Sequence, residues 1–303
     1  MTDVSRAGEI AATLRARFGR AVAAIGARPG ASVGAATVAV SIVALAFPGL
    51  DIAVASLFHH GADGFPADRN GFLLDVRHAG MGVTRIVVVA LVLAFLGKLF
   101  VPMLMRAVSS RKLMFLAASM ALGPGILVNS ILKEFWGRPR PRQITEFGGP
   151  MEFFPAWVPG GACETNCSFP SGEASSAMWL IALVFVVPER WRKATTIAVL
   201  AWALTISVNR MAFGAHFLSD VVIGWGLVAT IVLACRWAFL DRVGPMTEGR
   251  IDDGLAGGGG RPPRPPPPPA AAGPGPRGPP PPAGGVVPGA VRTAATEVCL
   301  SDA

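Results

Sequence analysis

The chain has 303 residues, of which 52% are hydrophobic and only 15% charged, and its mean hydropathy is +0.51. This profile is typical of an integral membrane protein. The formal net charge is +8, but much of the positive charge lies beside apolar runs, as juxtamembrane charge does, and no aromatic-basic RNA-binding module is present. The composition therefore predicts a protein of the lipid bilayer and argues against a nucleic-acid partner.

Residues 1–31 form a polar and basic arm. Apolar side chains recur among its arginines at steps of three or four, which predicts an amphipathic helix on the inner membrane surface: Ile10, Leu14, Phe18, Val22 and Ile25. A cleavable signal peptide is not expected, because no short apolar region opens the chain and the first apolar run begins only after residue 31.

Six apolar segments follow, at about 32–50, 85–105, 113–132, 174–187, 194–208 and 221–240. A helix needs ~20 apolar residues to cross the hydrocarbon core of a bilayer. The fourth and fifth segments are shorter, so we expect them to recruit flanking polar residues that face the bundle interior. The pattern predicts an all-α integral membrane protein with a six-helix bundle over residues 32–242.

The distribution of basic residues predicts the orientation of this bundle. The N-terminal arm, the links 106–112 and 189–193 and the end at 236–242 are basic, and the positive-inside rule places them in the cytoplasm. Loops 51–84 and 133–172 and the turn 209–219 then share the outer face. The Ala, Gly, Arg and Pro richness resembles GC-rich bacterial proteins, so we expect a bacterial inner membrane, both termini cytoplasmic and the loops periplasmic or extracellular.

Several cations break the positive-inside rule on the predicted outer face: Lys133, Arg138, Arg140, Arg142 and Arg210. Charged residues close to a membrane are costly and usually have a function. We therefore expect them to bind an anion.

The C-terminal residues 243–303 are rich in proline and glycine, including the run 261–269. Such a segment cannot bury a core, so we expect a disordered tail that is locally polyproline II. Its use as a proline-rich ligand for a protein partner is an alternative to a plain tail.

The outer loop 133–172 contains two of the four cysteines, Cys163 and Cys167. A pair this close on the oxidising side of a membrane predicts a local disulfide. Half of a metal site is the alternative, but the chain has no second pair of Cys or His to complete it. No metal or other cofactor is expected. Cys235 and Cys299 are expected to be free thiols on the inner side.

Three outward-facing motifs carry chemistry suited to an oxyanion, at 133–141, 169–173 and 209–220. Lysine and arginine in the first and third supply positive charge, and arginine also supplies forked donors that match phosphate. In the second, Ser171 and Gly172 open a helix, where free backbone N–H groups and the helix dipole favour an anion. Taken singly, Lys133 could merely snorkel to the interface and Ser171 could be an ordinary N-cap.

The third motif also contains a candidate nucleophile. If the chain is helical from about Ala215, His216 and Asp220 lie on one face, one turn apart. A carboxylate in that position can hold the imidazole tautomer and stabilise its cation. The alternative is a histidine at the membrane surface followed by a helix-capping aspartate.

The spacings Lys-x6-Arg-Pro from Lys133, Pro-Ser-Gly from Pro170 and Arg-x5-His-x3-Asp from Arg210 resemble the type 2 phosphatidic acid phosphatase family. That family includes the lipid phosphate phosphatases and is related to vanadium haloperoxidases. The resemblance covers roughly residues 32–240. It implies a six-helix membrane core and a metal-independent phosphatase that forms a phosphohistidine.

The resemblance also implies roles for individual residues. His216 would be the nucleophile and Asp220 its partner. The phosphate-binding residues would be Lys133, Arg140, Ser171, Gly172 and Arg210. Arg138 and Arg142 lie between these motif positions, and we expect them to be loop charges or contacts to a substrate headgroup.

Two positions depart from the family pattern. Asn209 stands where the family has serine, which keeps a small hydrogen-bonding side chain. Glu173 stands where the family has the histidine that protonates the leaving oxygen, and such acid catalysis contributes typically 10²–10⁴-fold. Three roles are open for Glu173: it is the acid itself, it is a structural residue whose charge suits the first turn of a helix, or it marks a site that binds phosphate and turns over poorly.

The expected function is hydrolysis of a lipid phosphomonoester or diphosphate on the outer face. The candidates are lipid A, a polyprenyl diphosphate, phosphatidylglycerol phosphate and phosphatidic acid, and the arginine-rich loop 138–142 favours lipid A or a diphosphate. Two other functions remain open. One is a phosphotransferase that passes the phosphoryl group to a second lipid, and the other is a non-catalytic phospholipid-binding scaffold.

Overall fold

The computed structural model describes residues 29–101, 108–160 and 163–242. Within them the protein is helical, with one isolated β-bridge between Ile144 and Met151. Seven helices are numbered here in chain order: α1 Pro29–Ala46, α2 Gly49–Ser56, α3 Gly71–Phe100, α4 Ser110–Phe135, α5 Gly172–Phe185, α6 Glu189–Ala212 and α7 Leu218–Asp241. Short 3-10 turns occupy Gly61–Asp63, Pro66–Arg69, Pro141–Gln143 and Thr145–Phe147.

Among the described residues, five helices are long and apolar enough to cross a membrane, namely α1, α3, α4, α6 and α7. The fourth predicted segment, at about 174–187, corresponds to α5, which is shorter and changes at Leu180 from α-helix to 3-10 helix. From the rise per residue of the two helix types, α5 is roughly 24 Å long, less than the ~30 Å hydrocarbon core. The prediction of an all-α integral membrane protein is confirmed, and α5 is short, as its apolar run predicted.

The predicted boundary of the second apolar segment is wrong at its N-terminal end. Helix α3 begins at Gly71, where the side chain of Asn70 accepts a hydrogen bond from the Leu73 amide. Much of the predicted outer loop 51–84 is therefore helical. Polar residues in the first turns of α3, among them Asp75 and Arg77, interrupt the apolar pattern without interrupting the helix.

Two predicted segments cannot be compared with the structure. The amphipathic helix of the basic arm falls almost wholly in residues 1–28, and the tail with its proposed protein partner occupies residues 243–303. Both lie outside the described residues.

Helix α7 lies at the centre of the bundle and packs against α1, α4 and α5. Small residues allow these close approaches, as is usual between membrane helices. A Cβ atom on Gly226 would lie 2.2 Å from Oγ1 of Thr37 in α1, and one on Gly224 would lie 2.5 Å from Oγ of Ser175 in α5. The central packing of α7 fixes the position of its N-terminus, which carries part of the candidate site.

Trp179 of α5 anchors the main apolar core. Its side chain is 1% exposed and packs among buried residues of α4, α6 and α7. The indole N–H donates to Oγ of Ser119 at 3.0 Å, which satisfies a donor that would be costly to leave unpaired in a buried setting. The outward surface of α3, by contrast, exposes large apolar side chains such as Val92, Leu93 and Phe95, as a lipid-facing helix does.

Helix α4 is irregular just below the candidate site. Pro124 lies inside it, and a proline lacks the N–H and crowds the carbonyl that an α-helix would use. The segment Ala121–Leu132 widens into π-helical turns, which are common near functional sites. The side chain of Asn129 donates to the Pro124 carbonyl at 2.6 Å. The widened segment brings Asn129 against the start of α5.

An aromatic cluster fixes the loop between α4 and α5. The rings of Trp136 and Trp157 meet edge to face at 5.4 Å, and Trp157 meets Phe169 at 4.9 Å. The cluster packs on Ile223 of α7. It holds the segment that enters α5 at Ser171 against the N-terminal part of α7.

Candidate active site

One cavity of about 430 Å³ brings together side chains from all three motifs. The predicted site residues that line it are Lys133, Arg140, Arg142, Glu173, Arg210 and His216. Additional lining comes from Arg77, Gln143, Cys163, Thr165 and Asn166. Five of these side chains are basic and one is a carboxylate, so the cavity is suited to a multiply charged anion.

His216 is held as a neutral ring with a defined tautomer. Its Nδ1 lies 2.8 Å from the carbonyl oxygen of Ser168, and a carbonyl only accepts, so Nδ1 carries the proton. Burial lowers the pKa of His216 to about 4, and the negative charge of Asp220 only partly opposes this. At neutral pH the lone pair therefore resides on Nε2, which suits that atom for nucleophilic attack.

The predicted direct pairing of His216 with Asp220 needs correction. Helix α7 begins at Leu218 and not near Ala215, so the two residues do not share one helical turn. The nearest carboxylate oxygen is 3.8 Å from Nδ1, which is beyond hydrogen-bonding distance. The Ser168 carbonyl takes the orienting hydrogen bond, and Asp220 acts on the ring through its charge.

Asp220 shapes the turn that carries His216. One of its oxygens accepts from the Phe217 amide at 2.8 Å and from the hydroxyl of Ser168. The Phe217 amide lies at the start of α7, where backbone donors otherwise lack partners. Asp220 thus caps the N-terminus of α7 and accepts a hydrogen bond from Ser168, whose carbonyl orients the imidazole.

The predicted headgroup contact of Arg138 is wrong. Its side chain has no exposed surface. The guanidinium pairs with Asp220 and lies 2.8 Å from a carboxylate oxygen of Asp51. It also donates to Phe154 O at 2.7 Å and to Ser219 Oγ at 2.9 Å. Because every direction around the guanidinium is occupied by protein, Arg138 is a structural cation behind the site.

Asp51 is the far end of this buried network. It lies in α2 and is 4% exposed. One of its oxygens accepts from the Ser219 amide at 2.8 Å, and the other faces Arg138 and the Ser219 hydroxyl. The network joins α2, the segment after α4 and the start of α7.

Arg140 projects into the cavity, where Asn166 holds it. Its Nη2 donates to the backbone oxygen of Asn166 at 2.7 Å and lies 3.2 Å from the side-chain oxygen of the same residue. Burial, followed by the like charge of Arg142, lowers the pKa of Arg140. The guanidinium is thus partly dehydrated and close to another cation, two conditions that favour anion binding.

Arg210 and Arg77 share one carboxylate. Oε1 of Glu173 lies 3.4 Å from Nε of Arg210 and 3.5 Å from Nε of Arg77. Four polar atoms here are buried with no hydrogen-bond partner among the described residues: Nε and Nη1 of Arg210, Nε of Arg77 and Oε2 of Glu173. Buried donors of this kind normally find an acceptor, and a phosphate oxygen would supply one.

The ion pairs of Glu173 favour one of its three predicted roles. A side chain flanked by two guanidinium groups is suited to be a carboxylate, whereas a general acid must carry a proton. The first-turn position at the start of α5 also suits a negative charge. The geometry therefore favours Glu173 as the ionic partner of Arg77 and Arg210.

Neither Ser171 nor Gly172 is among the residues that line this cavity, and Gly172 lines a second cavity that shares Lys133 and Glu173 with it. Oγ of Ser171 accepts from the Ala174 amide at 3.4 Å, and the residue has no exposed surface. Its N-cap role is thus present in the structure, while a direct phosphate contact stays a prediction. A Cβ atom on Gly172 would lie 2.4 Å from Oδ1 of Asn129 and 3.4 Å from Nζ of Lys133. Gly172 therefore permits the close approach of α5 to α4.

The disulfide predicted between Cys163 and Cys167 is confirmed. Cys235 is free and buried, as expected, and Cys299 lies outside the described residues. The small loop that the disulfide closes forms one wall of the cavity.

Arg77 and Ser168 are the main residues that the sequence analysis missed. Arg77 carries the same signal as the other site cations, since it is a basic residue on the predicted outer face, but it was hidden in a presumed loop. Ser168 contributes through its backbone carbonyl and its hydroxyl, and neither leaves a recognisable sequence pattern.

Comparisons with known proteins agree with these motifs. The model of the PAP2 superfamily matches residues 112–243, an interval that contains all three motifs. A lipid A 4′-phosphatase from Rhizobium leguminosarum is 38% identical over 215 residues, which cover 65% of this chain and 89% of that protein.

Two further relatives match shorter stretches. A lipid A 4′-phosphatase from Francisella tularensis subsp. novicida is 35% identical over 180 residues, covering 59% of this chain and 81% of that protein. A lipid A 1-phosphatase from Rhizobium etli is 30% identical over 126 residues, covering 40% of this chain and 50% of that protein.

The state of His216 predicts the acid limb of the pH profile. If His216 is the nucleophile, attack requires the neutral ring; burial lowers the pKa of His216 to about 4, so kcat/KM should fall only as the pH drops through that value. The measurement is a pH–rate profile of the membrane-embedded enzyme, corrected for the second ionisation of the phosphomonoester near pH ~6. A histidine-dependent limb near the ordinary value of ~6.5 would contradict the buried, neutral ring.

The ion pairs of Glu173 predict a mild effect of Glu173→Gln. We expect less than about a tenfold loss in kcat/KM, because a general acid contributes ~10²–10⁴-fold and this residue serves as a charge partner instead. The loss should be equal for an aryl and an alkyl phosphomonoester, whose leaving oxygens differ in their need for a proton. A much larger loss confined to the alkyl ester would identify Glu173 as the acid.

Proposed function

The chain belongs to the PAP2 superfamily, and we propose that it removes the 4′-phosphate of a lipid A-type glycolipid through a phosphohistidine at His216. It is a multi-pass membrane protein and a lipid phosphatase. The main observation behind the proposed mechanism is the cationic cavity, which has the neutral imidazole of His216 in its lining. The extent of the match to lipid A 4′-phosphatases supports the choice of substrate.

The first chemical step is attack of Nε2 of His216 on phosphorus. The new N–P bond forms as the bond to the ester oxygen breaks, and the bonding pair leaves on that oxygen, which takes a proton from water. The Ser168 carbonyl holds the Nδ1 proton and so fixes the direction of the ring. The charge that develops on the imidazole is stabilised by Asp220, 3.8 Å from Nδ1.

The second step returns the enzyme to its resting state. Water attacks the phosphohistidine, the N–P bond breaks, and inorganic phosphate leaves with the proton balance restored through solvent. In both steps the charge on the equatorial oxygens is met by preorganised cations: Lys133, Arg140 and Arg210, with Arg77 beside them. No step in this scheme uses a metal ion.

A second cavity of about 480 Å³ adjoins the first and supports a lipid substrate. The two share Lys133 and Glu173 in their linings. The second cavity is also lined by Thr84 and Arg85 of α3 and by Ser176 of α5. Arg85 immediately precedes the apolar part of α3, where a membrane helix enters the hydrocarbon. We therefore assign this cavity to the part of the lipid headgroup that continues from the phosphate towards the bilayer.

The predicted orientation, with the site on the outer face of a bacterial inner membrane, is part of the proposal. Helix α6 runs from the basic link 189–193 to Arg210 at the cavity, so the basic link and the site lie at opposite ends of the bundle. The positive-inside rule then assigns the link to the cytoplasm. The Cys163–Cys167 disulfide in the cavity wall is suited to an oxidising compartment.

A substrate panel with a nucleophile variant tests this function. We expect the wild-type protein to release inorganic phosphate from bisphosphorylated lipid A, leaving a product that mass spectrometry shows to lack the 4′-phosphate. The release should be unchanged by a chelator. His216→Ala should lower it by at least about 10³-fold, since removal of a nucleophile leaves only binding and electrostatic effects. His60→Ala is the matched control, because His60 is exposed and outside the cavity.

The same panel separates the alternatives. Preference for a polyprenyl diphosphate, loss of the 1-phosphate, or an activity that disappears with chelator would each contradict the proposal. A phosphotransferase would show phosphate on an added acceptor lipid with little free phosphate. Retained turnover in a folded His216→Ala protein would contradict the nucleophile assignment.

A further inference from the structure

The loop closed by the Cys163–Cys167 disulfide contains the acceptors that hold Arg140. Asn166 adopts φ +51°, in the left-handed region that asparagine tolerates better than most residues. Its backbone oxygen and its side-chain oxygen both face Nη2 of Arg140, at 2.7 and 3.2 Å. Two neutral acceptors on one residue therefore converge on a single guanidinium nitrogen.

Both ends of this loop are hydrogen-bonded to residues 133–138, which precede Arg140. The Cys163 amide donates to Gly137 O at 3.2 Å, and the Cys167 amide donates to Lys133 O at 3.4 Å. The next residue, Ser168, donates from its amide to Arg138 O at 2.8 Å. The disulfide thus closes a short loop whose two ends bind one face of the first motif.

Arg140 depends on this loop for its direction. Glu173, the carboxylate in the cavity lining, pairs with Arg77 and Arg210. Within the described part of the chain, the hydrogen bonds of the Arg140 guanidinium go to Asn166 alone. Arg142 lies in the same cavity lining, and its like charge acts on Arg140. Without the acceptors of Asn166, a long and flexible side chain would be free to turn away from its neighbouring cation.

We propose that the disulfide-closed loop 163–167 is a positioning element for phosphate binding, and that it acts by holding Asn166 against Arg140. The bond to Nη2 leaves the other guanidinium nitrogens for the oxygens of the bound phosphate. The loop itself does not touch the reacting atoms. The proposal rests on the proposed function only in taking the bound anion to be a phosphate.

The test is a set of variants of the full-length protein whose affinity for inorganic phosphate is measured by calorimetry in detergent. Cys163→Ser/Cys167→Ser should weaken phosphate binding by about tenfold, the size expected when a hydrogen bond to a charged group is lost. In an Arg140→Ala background the same two substitutions should have no further effect. In an Arg142→Ala background they should still weaken binding by about tenfold, because within the described residues the side-chain hydrogen bonds to Asn166 come from Arg140.

A second readout distinguishes positioning from general stability. Dithiothreitol should reproduce the loss in the wild-type protein and change nothing in Cys163→Ser/Cys167→Ser, while the thermal midpoint of each variant stays well above the temperature of the assay. Unchanged phosphate affinity after the disulfide is broken, or an equal loss in the Arg140→Ala and Arg142→Ala backgrounds, would overturn the proposal. If the protein binds phosphate but does not hydrolyse lipid A, the proposed function is wrong, while the role of loop 163–167 in phosphate binding is unaffected.

Discussion

The site depends on one buried ion network, in which Arg138 lies between Asp51 and Asp220. All three side chains are buried, Arg138 and Asp220 completely. Charges in such a setting are tolerated only when partners and hydrogen bonds surround them, and the loss of one partner is strongly destabilising. The network therefore fixes the mutual position of α2, the segment after α4 and the start of α7. The backbone that orients His216 is attached to that fixed point through Ser168 and Phe217.

Charge is divided between the two sides of His216. Behind the ring, two carboxylates share one guanidinium, which leaves net negative charge close to Nδ1. In front of it, the cavity lining is strongly cationic. The arrangement meets both charges of the proposed chemistry, since the cations receive the phosphate and Asp220 stabilises the ring as it becomes positive.

Glu173 lies between two arginines of the cavity. The resemblance to the family implies a proton-donating histidine at this position, whereas the glutamate links Arg77 to Arg210. Arg77 comes from α3, outside the three motifs. Glu173 and Arg77 therefore belong together, because a carboxylate between the guanidinium groups of Arg77 and Arg210 reduces their mutual repulsion.

The sequence predicted those features of the site that depend on residue type and on short spacings along the chain. In the predicted orientation Lys133, Arg140 and Arg210 break the positive-inside rule, and this signal is enough to predict that they share one face as an anion site. The pairing of Cys163 with Cys167 followed from their spacing. The apolar runs predicted the membrane helices, although the N-terminal extent of α3 was missed because polar residues occupy its first turns.

Other features depend on contacts between distant segments and could not be read from the chain. Asp51 and Arg138 are 87 residues apart in sequence, and nothing near either residue indicates a buried pair. Arg138 resembled a surface arginine because its neighbours Arg140 and Arg142 face the cavity. The orienting acceptor for His216 is a backbone carbonyl, which every residue has, so no residue type could signal it.

The central claim is that His216 carries the phosphoryl group during turnover. The most direct measurement is to quench the wild-type protein in alkali during hydrolysis of a phosphorylated lipid, digest it and locate covalent phosphate by mass spectrometry. We expect phosphate on His216, formed and lost at rates compatible with turnover. Steady turnover with no phosphoprotein, even when the rate of quenching exceeds kcat, or phosphate on a residue other than His216, would contradict it.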